Sequence, residues 1–232
     1  MTFLRRQLSL FVALIRRPRD AVPGVLGEGR LAVGCAGIAV ACAVAALDTT
    51  RFASVVTLSD LVYGPERTPA VTFLLDTLGT ARAAVVVYLV QQAWTAVLLI
   101  TAAGPVLAWL LGASAVHAAA RIASAGRSFG RFSVFAAYIT TLSLIASGLS
   151  TFIFEADPLA PVAVVGRIVT FALVLWLGWL YYRGIRVYYE VAPSRALLIL
   201  IVAVTLFYLV PAMLIAAAVV AIITAAILLQ LA

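Results

Sequence analysis

From Ala196 to Ala232 the chain reads "ALLILIVAVTLFYLVPAMLIAAAVVAIITAAILLQLA" without one charged residue. A helix needs only about 20 consecutive apolar residues to cross the hydrocarbon core of a bilayer. Four further runs approach or exceed that length, at about 31–47, 83–111, 132–154 and 162–182. Lipid offers no hydrogen bonds to a bare backbone, so each run must satisfy its own N–H and C=O groups as a helix. The expectation is an all-α, polytopic membrane bundle of five transmembrane helices, residues 31–232, preceded by an entry segment, 1–30. Two runs are longer than a membrane requires. Residues 83–111 would rise about 43 Å and 196–232 about 55 Å, against a core of about 30 Å. Gly104-Pro105 and Pro211 are the expected kink points, because proline removes an intrahelical bond. A sixth or re-entrant segment after Pro211 stays open at this stage.

Composition agrees. Hydrophobic residues make up 65% of the chain and charged residues 11%, where soluble domains carry about 25% charged residues. The formal charge of +7 comes from 16 arginines and no lysine. No basic stripe interleaved with aromatics accompanies it, so nucleic acid is set aside as a partner. The arginines instead follow the positive-inside rule. Residues 1–30 hold Arg5, Arg6, Arg16, Arg17, Arg19 and Arg30 against Asp20 and Glu28. The second-to-third connection holds Arg121, Arg127 and Arg131, and the fourth-to-fifth holds Arg183, Arg186 and Arg195 against Glu190. The first-to-second loop has Arg51, Arg67 and Arg82 against Asp48, Asp60, Glu66 and Asp76, and the third-to-fourth has only Glu155 and Asp157. This alternation puts the N-terminus in the cytoplasm and the C-terminus outside. It leaves no connection longer than about 35 residues, too little for a soluble catalytic domain.

The segment "MTFLRRQLSLFVALIRRPRD" has a short apolar stretch followed by arginines rather than a cleavage site. It reads as an interfacial helix with Leu4, Leu8, Phe11, Val12 and Ile15 on one side, broken by Pro18 and by "VPG" at 22–24. Cys35 and Cys42 lie seven residues apart inside the first span, about 10 Å in rise, too far to form a disulfide.

Little chemistry assembles from such a residue set. Without lysine there is neither a P-loop lysine nor a Schiff base. One histidine, His117, cannot supply a histidine-pair zinc site, and the acids sit away from it, so no triad or metal ligand set is expected. We expect no enzyme, catalytic residue or cofactor. The polar positions within spans are Gln91, Gln92, Thr140 and Arg167. Glutamines hydrogen-bond between helices, Arg167 lies near enough to an outer end to snorkel, and Ala136, Thr140, Ser143, Ser147 and Ser150 lay a small-residue packing seam along span three. The aromatic and basic cluster "WLGWLYYRGIRVYYE", 176–190, has the composition of a headgroup-level anchor. Candidate contacts for anionic lipid or a partner are Arg16, Arg17, Arg19, His117, Arg121, Arg127, Arg131, Arg183 and Arg186.

Three stretches share an order of features. "LFVALIRRPRDAV" is a short helix ending in an arginine-proline pair. "HAAARIASAGRSFGRFSVFAAYITT" is a helix tail, a small basic loop, then Phe and Tyr at the start of span three. "WLGWLYYRGIRVYYEVAPSRALL" places aromatics before Gly-Ile and a Ser-x-Ala start of the last span. With the terminal apolar helix, this order resembles the Yip domain family, five-span membrane proteins named for interaction with Ypt/Rab GTPases, and most closely its bacterial branch. The resemblance implies a non-enzymatic scaffold or adaptor in membrane organisation, in a bacterial inner membrane, with lipid, a membrane-protein partner or a second copy of itself as company. A small-solute channel or transporter subunit is the alternative that the intramembrane polar residues suggest.

Overall fold

The computed structural model describes residues 3–55, 98–154 and 161–231, with scattered positions between 72 and 96. All secondary structure among the described residues is helical. The helices described from end to end are, in chain order, α1 (Phe3–Arg16), α2 (Pro18–Glu28), α3 (Leu31–Val55), α4 (Gly104–Ile122), α5 (Phe129–Phe154), α6 (Pro161–Tyr189) and α7 (Pro193–Leu231). Five of them, α3 to α7, are long and apolar enough to cross a membrane, which makes this a multi-pass membrane protein.

The entry segment forms two helices. Pro18 forces its predecessor out of the α region, and Arg17 accordingly adopts φ −140° and ψ 62°, ending α1. The same proline then opens α2, where its missing N–H costs nothing. The expected break at "VPG" does not occur, because Pro23 lies inside α2. Its lost hydrogen bond is outweighed by the stripe of Ala21, Val22, Val25 and Leu26, all buried against the bundle.

Span limits also shift. Helical residues 98–102 end in a turn at Ala103, and α4 restarts at Gly104 with Pro105 in its first turn, as the Gly-Pro pair predicts. That helix does not stop at Leu111 but runs on to Ile122. Gly112, Ser114 and His117 lower the hydropathy there, yet Ala113, Ala115, Val116, Ala119 and Ala120 are buried and favour helix. Likewise α6 continues past Tyr182 to Tyr189, since arginines in a last turn suit the helix dipole. The last helix, α7, is continuous through Pro211 and forms no sixth segment. At 39 residues it is about 58 Å long, so it tilts or projects beyond the core.

Side-chain pairings define the topology. Gly34 meets Ala137, Gly37 meets Thr141, and Val44 meets Gly148, so α3 and α5 run parallel. Trp109 reaches Ser133 and His117 reaches Phe129, so α4 runs antiparallel to α5. Thr140 pairs with Tyr181 and Ser128 with Tyr188, so α6 is antiparallel as well. Arg195 meets Ala123 while Phe207 approaches Gly112, which sets α7 against α4. The N-terminal ends of α3, α5 and α7 therefore share one end of the bundle with the C-terminal ends of α4 and α6.

The centre is α5, with every residue from Phe132 to Thr141 buried. It packs against α2, α3, α4 and α6. Against α3 the contact is through small residues. A Cβ at Gly34 would stand 2.8 Å from that of Ala137, and one at Gly37 only 2.6 Å from Thr141 Oγ1. The seam on α5 is thus Ala137, Thr141 and Gly148, one position round the helix from the expected Ala136–Thr140–Ser143 line. Ala136 and Thr140 are buried too, and Thr140 turns to α6. The far halves of α6 and α7, from Val164 to Leu175 and from Val204 to Val220, expose large aliphatic side chains, as lipid-facing helices do.

Candidate functional site: the basic aromatic end

The core gathers at the shared end. Leu14, Val22, Val25, Phe132, Phe135, Tyr138, Leu180, Ile185 and Ile199 are fully buried there, with Tyr188 and Tyr189 nearly so. Deeper in the bilayer helices gain nothing from escaping water, so packing and hydrogen bonds must hold them. At the end of the bundle water is present, and each fully buried aromatic or aliphatic side chain contributes about 1.5–3 kcal/mol.

Hydrogen bonds lace this core. The Tyr138 hydroxyl donates to Gln7 Oε1 at 2.5 Å and accepts from the Arg30 N–H at 3.4 Å, while the Phe11 ring stacks on it at 4.4 Å. Gln7 Nε2 in turn donates to the Glu28 carbonyl at 3.3 Å. One phenol thereby joins α1, the α2–α3 corner and α5. Trp109 Nε1 donates to the Ser133 carbonyl at 2.8 Å, fastening α4 to α5. The Tyr188 hydroxyl donates to the Ser128 carbonyl at 2.5 Å and accepts from Ser128 Oγ at 2.9 Å, holding α6 to the loop before α5. Phe132 lies at the middle of the cluster, within 5.6–6.3 Å of Phe135, Tyr181, Tyr188 and Tyr189.

The stretch 112–131 forms the elbow. Ser124 adopts φ 54°, its N–H bonds the Arg121 carbonyl, and the Ala125 N–H bonds the Ala120 carbonyl, which closes α4 in a Schellman motif. His117 does not pair with Arg121. Its Nδ1 lies 3.4 Å from the Tyr189 hydroxyl and its ring meets the edge of Phe129 at 5.4 Å, half-buried, while Arg121 is exposed.

The arginines divide into two sets. Four are structural fasteners. Arg6 makes a two-pronged ion pair with Glu28 at 2.9 Å, which raises its guanidinium pKa above the ordinary value. Arg127 pairs with Glu190 at 2.7 Å and lies 5.9 Å from the Tyr188 ring centre. Arg131 donates to the Gly27 carbonyl at 3.2 Å, and Arg195 donates to the Ala123 carbonyl. These last two satisfy orphan carbonyls at the ends of α2 and α4. Arg127 and Arg131, expected as outward contacts, thus also make contacts within the fold. All four stay exposed, and so do Arg5, Arg16, Arg17, Arg19, Arg30, Arg121 and Arg186, which make no ion pair among the described residues. Arg183 is half-buried, with its Nε lacking a hydrogen-bond partner among the described residues.

Two of the intramembrane polar residues, Thr140 and Arg167, lie far apart. Thr140 is buried with its hydroxyl 3.5 Å from that of Tyr181. Arg167 is exposed on α6, fourteen residues from Tyr181 towards the opposite end, about 21 Å along the axis. Gln91 is exposed, and Gln92 lies outside the described residues. Cys35 and Cys42 are both free thiols. Among the described residues no group of three metal-ligating side chains occurs.

Sequence reasoning missed Gln7, Trp109, Tyr138 and Gly184. A Cβ at Gly184 would overlap the Phe135 ring, so this glycine is where α6 closes on α5. The available signal was a lone amide, Gln7, on the apolar side of an amphipathic helix. No family model, curated protein or solved structure matches the chain.

Proposed function

We propose that the chain is a non-enzymatic scaffold or adaptor of a bacterial inner membrane, acting through its basic aromatic end. One observation carries this reading. Twelve arginines against three acids flank helix ends that share one end of the bundle, and, the four fasteners apart, seven of those arginines are exposed without an ion pair among the described residues, around a hydrogen-bonded core. By the positive-inside rule that end is cytoplasmic, and the C-terminus is outside. The similarity of three of its segments to the Yip domain family supports a role in membrane organisation rather than catalysis. The separation of Thr140 from Arg167 supports it over a solute channel.

The test is extraction from native membranes into polymer nanodiscs, comparing wild type with Arg121→Glu/Arg186→Glu. The adaptor reading expects a discrete membrane-protein partner, in fixed proportion, that the charge-reversed variant loses. Recovery of the chain with lipid alone, together with solute flux in proteoliposomes, would overturn it in favour of the channel.

A further inference from the structure

The sequence places Leu4, Leu8, Phe11, Val12 and Ile15 on one apolar side of α1; the Leu4 side chain lies outside the described residues, and the structure divides the other four. Leu10, Phe11 and Leu14 turn inward with Gln7. Leu8, Val12 and Ile15 turn outward, 54%, 46% and 60% exposed, and form a second apolar row at helical spacing. Beside it runs a shallow groove lined by Arg5, Leu8, Ser9, Val12, Arg16 and Arg17. Arg5 and Arg16 stand at its two ends, about 16 Å apart along the axis. Arg6, on the other flank, is already held by Glu28. Among the described residues the arginines of the groove have no ion pair.

The depth of α1 is set by the fold. Gln7 and Phe11 are fastened to Tyr138, whose hydroxyl also accepts from the N–H of Arg30, the residue just before the membrane-crossing α3 begins at Leu31. A helix tethered there, with an aliphatic row and unpaired guanidiniums side by side, meets the boundary between acyl chains and headgroups. We propose that this face of α1 is a binding site for anionic phospholipid. Its aliphatic row enters the acyl edge, and Arg5 with Arg16 and Arg17 grip headgroup phosphates. An acidic protein would match the guanidiniums but leave Leu8, Val12 and Ile15 in water. This inference rests on the reading of the basic end as a headgroup-level surface, though not on any partner.

The test uses the full chain with Cys35→Ala, Cys42→Ala and an environment-sensitive fluorophore on Val12→Cys, in nanodiscs of phosphatidylcholine with rising phosphatidylglycerol. The emission is expected to shift to the blue as phosphatidylglycerol rises. Arg5→Gln and Arg16→Gln are each expected to raise the half-response fraction about fivefold, the effect of one arginine at an anionic surface. Arg16→Lys keeps the charge and should keep the response, which separates loss of charge from misfolding. Emission equally blue in phosphatidylcholine alone and indifferent to Arg5→Gln and Arg16→Gln would reduce α1 to an apolar anchor and overturn the site. Emission of a water-exposed label in every disc would overturn it in favour of a protein partner. A shift on adding inorganic phosphate to phosphatidylcholine discs would reassign it to a soluble ligand. Loss of this response with partner recovery intact removes the lipid site alone; the reverse removes the adaptor reading alone.

Discussion

A phenol inside a helix bundle must place one hydroxyl hydrogen and at least one lone pair. Tyr138 does so with Gln7 and the Arg30 N–H, so truncation to Tyr138→Phe strands a buried amide oxygen. The expected cost is about 1–3 kcal/mol, read as a lower midpoint of thermal unfolding in detergent. The double variant Gln7→Leu/Tyr138→Phe should regain much of it, because neither polar atom is then left alone. Ser124 offers the opposite sign. It occupies a left-handed position where an L side chain is disfavoured by roughly 1 kcal/mol, so Ser124→Gly should raise the same midpoint. Neither effect could be read from the sequence. The small basic loop announces a turn but not which residue is left-handed; the 6→1 bond from Ala125 to Ala120 makes it Ser124. His117 stood out in the sequence as the single histidine, but its tie to Tyr189 depends on a residue seventy-two positions away.

The membrane-crossing elements were legible because hydropathy reports what lipid demands of a helix. Their ends were not. Arginine, tyrosine and histidine lower the hydropathy at headgroup level while remaining good company for a helix C-terminus, so α4 and α6 run on past their apolar stretches. The packing faces were half legible. Small residues on span three announced a close approach, but which row faces α3 depends on Gly34 and Gly37, whose role appears only when paired with Ala137 and Thr141. The tightest approach, α6 on α5 at Gly184, gives a prediction at this scale. Gly184→Ala should cost about 1–3 kcal/mol by overpacking, measured as loss of monodisperse protein on heating. Gly184→Ala/Phe135→Leu should recover part of it by withdrawing the ring. Recovery by Phe135→Leu distinguishes a local clash from a change in helix propensity, since alanine is the better helix former.

At the scale of the whole molecule, packing is uneven. Buried side chains concentrate at the basic end, where the hydrophobic effect acts, and the opposite halves of α6 and α7 face lipid. The parallel pair α3 and α5, with α4 and α6 running against α5, leaves the charged helix ends together, as alternating loop charge leads one to expect. Which side of the membrane receives them is the central claim, because lipid binding and partner recruitment both depend on it. Impermeant-maleimide labelling of intact spheroplasts tests it most directly, in a chain with Cys35→Ala and Cys42→Ala. Gly126→Cys places a thiol in the exposed elbow, with open space around it, and Thr50→Cys places one near the other end of α3. The account predicts labelling at Thr50→Cys from outside and at Gly126→Cys only after lysis; labelling of Gly126→Cys in intact spheroplasts would contradict it.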